Sequence, residues 1–129
     1  MKKLEKDIYK YLKERGWDKL RPADLAKSVI IEGAELLELF QWENLPLDEI
    51  KKDKEKLEHI KKELADVLIY ALDMSVLLGL DTEKIIRGKL AHIAEKYPAK
   101  LMKKSRGKEP GAGGDSEYWR IKKEHRRKA

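Results

Sequence analysis

Two runs of this sequence hold carboxylates with no base beside them, and they limit what the chain can fold into more than any other feature. Ser28 to Trp42 reads SVIIEGAELLELFQW and carries Glu32, Glu35 and Glu38 among apolar residues, with no lysine, arginine or histidine. From Glu63 to Leu80 the only charges are Glu63, Asp66 and Asp73, set in ELADVLIYALDMSVLLGL. In a chain where 42% of residues are charged, acidic groups without nearby cations are the exception. The apolar positions within both runs recur at helical spacing, so each run predicts a helix with a buried face that also bears acids.

The rest of the composition agrees with an all-α fold. Leu, Ile, Ala, Lys and Glu dominate, while aromatic and β-branched residues are too sparse for a β-sandwich. The length of 129 residues suits one domain with a core of its own. Cysteine is absent, which rules out disulfides and thiolate metal sites and fits a reducing cytoplasm. Charges run through the amino terminus, and no apolar stretch reaches the roughly 18 residues of a membrane span, so the expected location is cytoplasmic and no membrane partner is expected. The net charge of +6 resembles a nucleic-acid signature, but residues 99–129 alone hold +7 and residues 1–98 hold −1. Nucleic acid is therefore expected, if anywhere, only through the tail.

In chain order, Leu4, Ile8, Tyr11 and Leu12 mark a first amphipathic helix that Gly16 stops. Pro22 fixes a turn and opens a second helix, from Ala23 to about Trp42. Residues 48–62 are almost wholly polar and are expected to be the exposed part of a third helix, or to begin as a loop. The buried helix from Glu63 ends at Gly79. Asp81 and Thr82 cap a fourth helix, which runs to about Lys96 before Tyr97-Pro98. The expected architecture is a four-helix domain over 1–98 followed by a basic, partly flexible tail over 99–129. In that tail SRGKEPGAGGDS reads as linker and SEYWRIKKEHRRK as a short basic helix.

On a helix, residues i and i+3 share a face with Cβ atoms about 5–6 Å apart, so Glu32 pairs with Glu35 and Glu63 with Asp66. Antiparallel packing of the two helices would bring the four carboxylates together. Four partly desolvated negative charges must either protonate or share a hard cation with oxygen ligands; Mg²⁺ leads, with Mn²⁺ as a substitute. Glu38 and Asp73, one or two turns further along, are either extra ligands or the rim of the site. Other metal chemistries lack their signatures. No histidine follows a glutamate at E-x-x-H spacing, and no H-E-x-x-H helix occurs. Neither a G-x-x-x-x-G-K-[ST] phosphate loop nor a Rossmann glycine pattern is present.

With E-x-x-E and E-x-x-D in this order and 27 residues between them, the sequence resembles the MazG-like, all-α nucleoside triphosphate pyrophosphohydrolases, and most closely the short branch that includes the dCTP pyrophosphatases. The resemblance runs from about Tyr11 to Pro98 and is carried by ERGW (14–17), EGAELLELFQW (32–42), ELADVLIY (63–70) and KLAHIAEKYP. It implies hydrolysis of an NTP or dNTP to the monophosphate and pyrophosphate, with Mg²⁺ held by Glu32, Glu35, Glu63 and Asp66; a carboxylate not fully engaged by the metal would then take the proton from water, and Glu35 is the expected one. It implies a phosphate contact at Lys89, and base contacts at Trp17, Trp42 and Tyr70. Arg21 stands where the dCTP pyrophosphatases have a histidine near the base, and Ile93 where the family commonly has an asparagine, with His92 on an adjacent face. It also implies a homodimer or homotetramer, since the family builds its sites within helical oligomers. The rival expectation is a catalytically weak helical module that uses its basic tail to bind nucleic acid or a protein.

Overall fold

Helix ends in this chain fall where local chemistry stops them. The structure, a computed structural model, describes residues 1–105 and 116–128. Helix α1 spans Lys2–Glu14 and buries Ile8 and Leu12 on one face. Gly16 takes φ +71°, a left-handed conformation that side chains resist, and the Trp17 N–H donates back to the Leu12 carbonyl at 2.8 Å. The chain reverses there, and Trp17 comes to lie edge-on against Tyr11, ring centroids 5.9 Å apart.

Arg21 precedes a proline, so it is held extended at φ −75° and ψ 134°, and α2 begins at Pro22. Helix α2 spans Pro22–Glu38, four residues shorter than the expected end at Trp42. The N–H groups of Leu39 and Phe40 donate to Leu36 and Leu37, an i to i−3 pattern that tightens the last turn and releases residues 39–42 into turns.

The polar stretch after Pro46 is mostly helical. A short α3, Leu47–Lys52, leads to Asp53, whose carboxylate accepts from the Lys56 N–H at 3.0 Å and caps α4, Lys54–Leu77. That cap starts the buried helix nine residues ahead of Glu63, so polar and apolar segments form one rod. Gly79, at φ +69°, ends it, with the Leu80 N–H returning to the Ser75 carbonyl at 2.9 Å. Buried Ser75 and Thr82 then share a hydroxyl–hydroxyl bond of 2.6 Å, so neither is left unsatisfied where α4 turns into α5, Thr82–Lys96.

The chain divides into two units, Met1–Thr82 and Glu83–Ala129, so the boundary expected at Pro98 lies inside the second. In the first unit α2 packs along α4, α1 packs on α4, and α3 touches α4. Leu12 and Leu25 are its most deeply buried apolar side chains. In the second unit α6, Ala99–Ser105, packs with α7, Ser116–Lys128. The Tyr97 and Tyr118 rings stack at 5.0 Å and Ile121 is buried. The basic helix expected from SEYWRIKKEHRRK is α7; helix α6 was not anticipated, and residues 106–115 of the expected linker lie outside the described residues. Among the described residues there is no strand, and no helix is long and apolar enough to cross a membrane.

Candidate metal centre

The packing of α2 on α4 brings the two carboxylate pairs together. Glu32 and Glu35 from α2 and Glu63 and Asp66 from α4 each present an oxygen, and these four oxygens all lie within 4.8 Å of one another. Glu32 and Glu63 are half-buried, while Glu35 and Asp66 are exposed. Within the first unit, no described lysine, arginine or histidine forms an ion pair with any of the four. The bases that this unit does pair meet other acids, as Lys56 meets Glu43 and Lys27 meets Asp24.

This crowding is felt electrostatically. Glu32 is held above the usual carboxylate range by desolvation first, then by its hydrogen bond with Glu35 and by the charges of Glu35, Asp66 and Glu63. Glu63 is raised by desolvation, by the charge of Glu35 and a hydrogen bond with it, and by Asp66 and Glu38. Glu38, a rim residue by sequence, therefore adds to the negative potential here. One oxygen of Glu63, Oε2, is enclosed with no hydrogen-bond partner. Four close oxygen donors, an orphaned carboxylate oxygen and no paired base fit a hard divalent cation such as Mg²⁺, which takes carboxylate oxygens.

A cavity of about 410 Å³ opens beside this cluster in the first unit. Tyr11, Leu12, Trp17 and Leu20 line it from α1 and the turn that follows, Asp24, Leu25 and Ser28 from α2, and Asp66, Ile69, Tyr70 and Asp73 from α4. Asp66 belongs to both the acidic cluster and the cavity wall, so the cavity borders the cluster. The α4 contributors follow i, i+3, i+4 and i+7, one face of the helix.

Among the residues expected from sequence, the structure places Trp17 and Tyr70 in this wall. Arg21 is exposed at the start of α2 and is not in the lining; Trp42 lies 89% exposed in the turn after α2 and is not in it either. Lys89 is exposed on α5, in the second unit. Tyr11, Asp24 and Ser28 were not singled out as site residues. Tyr11 carried only the signal of an amphipathic face, and Ser28 and Asp24 are joined locally, the Ser28 hydroxyl donating to the Asp24 carbonyl at 3.0 Å.

Residues 27–108 match the MazG-like family. The proteins named dCTP pyrophosphatase 1 from Rattus norvegicus, Mus musculus and Homo sapiens are each 30% identical to this chain over 95 residues, covering 71% of it and 55% of the relative. The chain thus spans about half the length of the curated relatives it matches. A solved structure described as a pyrophosphatase from Archaeoglobus fulgidus is 33% identical, with a TM-score of 0.66, and the match covers 76% of this chain and 92% of that one.

Proposed function

The chain belongs to the MazG-like family, and from that premise we propose that it is a Mg²⁺-dependent nucleoside triphosphate pyrophosphohydrolase, converting an NTP or dNTP to the monophosphate and pyrophosphate in the nucleotide pool. The observation that carries this reading is the meeting of Glu32, Glu35, Glu63 and Asp66 within 4.8 Å, without a paired base, at the edge of an aromatic cavity. The names of the relatives support the same chemistry, each of them a pyrophosphatase.

The geometry supports a division of labour. Glu32, Glu63 and Asp66 are the residues that would hold the cation, with Glu35 completing the set. Bound there, a divalent cation would neutralise phosphate charge and make water more acidic. Glu35, exposed at the edge of the cluster, takes the proton as the water oxygen bonds to phosphorus and the α–β bridging bond breaks, with pyrophosphate leaving. Trp17 and Tyr70 offer aromatic faces for the base, and stacking of this kind is worth about 1–3 kcal/mol. The test is to incubate the protein with canonical and modified triphosphates and Mg²⁺ and to identify the products. Monophosphate and pyrophosphate in equal amounts are expected; no turnover of any triphosphate, or release of orthophosphate and diphosphate, refutes the reading.

We also propose a homodimer or homotetramer. In the first unit, Ile30 and Leu37 on α2 and Leu68 on α4 are 73%, 65% and 51% exposed, an apolar surface that a second copy would cover. Sedimentation equilibrium should give two or four times the 15.1 kDa chain mass; a monomer at micromolar concentration contradicts this.

A further inference from the structure

One acid in the cavity wall has no role in the chemistry above. Asp73 is 4% exposed, and its Oδ1 is enclosed without a hydrogen-bond partner. Its buried polar neighbours in sequence do not share this condition, because Ser75 is bonded to Thr82. A buried carboxyl oxygen left unmatched is costly to the fold and requires a reason. Burial pushes its carboxyl above the usual range, and no cation is among the causes that act on it.

Position supplies the reason. Asp73 lies two helical turns beyond Asp66 on the same face of α4, about 10 Å along the axis at 1.5 Å per residue. A nucleotide whose phosphates met the acidic cluster would extend its base over a distance of that order, into the cavity that Trp17 and Tyr70 line. The wall it would meet carries three carboxyl groups. Asp24, Asp66 and Asp73 line the cavity, no described lysine, arginine or histidine does, and besides the Ser28 hydroxyl, engaged by the Asp24 carbonyl, its side-chain donors are the Tyr11 and Tyr70 hydroxyls and the Trp17 N–H. Asp24 does not share the environment of Asp73, since its side chain is 63% exposed and lies 3.9 Å from the Lys27 ammonium.

We propose that Asp73 is a specificity-determining residue that reads the substrate base, accepting a hydrogen bond from an exocyclic amino group and so selecting amino-bearing bases over those with a carbonyl in its place. The inference rests on the reading of the chain as a nucleotide hydrolase. An amino group donating to the Asp73 carboxyl from the cavity offsets the cost of its burial, whereas a carbonyl at the same place brings no donor to it. A site built to hydrogen-bond one edge rejects the analogue lacking it, because its own buried group is then stranded.

Two pairs exchange the amino group for a carbonyl, and with it the adjacent ring acceptor for an N–H: CTP against UTP, and ATP against inosine triphosphate. For the wild type, kcat/KM should favour the amino-bearing member of at least one pair by about tenfold or more, the scale of a base-edge contact. In Asp73→Leu that ratio should fall at least about fivefold, and in Asp73→Asn, which offers a donor as well as an acceptor, it should also fall. Each ratio is taken within one protein sample, so a reduced folded fraction cancels. Nucleotide-free Asp73→Leu should melt no lower than wild type, since the carboxyl serves a ligand rather than the fold. A wild type that turns over triphosphates without amino preference, or variants that keep the wild-type ratio, overturn this inference and leave the function standing. A wild type that turns over no triphosphate overturns both.

Discussion

Glu35→Gln is expected to lower the rate of pyrophosphate release by about 10²–10⁴-fold, the range for loss of a general base. Glutamine keeps the size and one oxygen of the side chain but cannot take a proton, and its amide sets a permanent donor beside Glu32 and Glu63. Glu35 acts on both neighbours at once, being the partner named in the perturbation of Glu32 and of Glu63. Its removal therefore takes away the proton acceptor and weakens the oxygen cage. The loss should appear in kcat, because Trp17 and Tyr70 in the cavity wall are untouched and the base retains its platform. Steady-state kinetics with a pyrophosphate assay check this. Activity within a few-fold of wild type would remove Glu35 from the mechanism.

Much of this site was legible before any coordinates, for a local reason. The i, i+3 spacing of Glu32 with Glu35 and of Glu63 with Asp66 fixes each pair on one helix face, and the lack of bases nearby marks the pairs as uncompensated. The stops at Gly16 and Gly79 were equally plain, since both take the left-handed backbone that glycine tolerates best. Features set by hydrogen bonding between turns were not. The shortening of α2 at Glu38 depends on i to i−3 bonds made by Leu39 and Phe40, residues whose apolar pattern continues the helix. The start of α4 at Lys54, after a separate short α3, depends on the Asp53 cap, hidden in a charged stretch that reads as surface.

Features set by packing were the least legible. Asp73 was visible as an acid in an apolar run, but its burial and its place in the cavity wall require α1, α2 and α4 to be assembled. Tyr11 is similar, for its pattern announces a helix face and only the reversal at Gly16 sets Trp17 against it. Trp42 lies 89% exposed beyond the end of α2, a placement set by where that helix stops.

The second large effect concerns stability. Without a cation, the four carboxylates repel one another, and Glu32 and Glu63 are raised above the ordinary carboxylate range. A carboxyl raised in the folded state binds its proton more tightly there than in the unfolded chain. Its stabilising contribution is complete below the unfolded value near 4.5 and is lost as pH rises through the folded value. Metal-free protein should therefore gain stability on acidification from neutrality towards that value, as far as this cluster is concerned, and Glu63→Gln should show less of that gain. At neutral pH the same substitution should raise the melting temperature of the metal-free protein while removing an oxygen ligand. Stability and function are opposed at these residues, as expected where acids are gathered for a cation.

A cation that binds the folded chain alone supplies the compensation. At a hundredfold excess over its dissociation constant it stabilises by about 2.7 kcal/mol, which in a domain of this size is a rise on the order of 10 °C. The central claim, that these four carboxylates share a divalent cation, is tested most directly by melting metal-free wild type and Glu63→Gln at neutral pH with and without Mg²⁺ or Mn²⁺. The prediction is a large upward shift in the wild type, little or none in Glu63→Gln, and a higher metal-free melting temperature for the variant. Equal shifts in the two proteins, or none in the wild type, would contradict it.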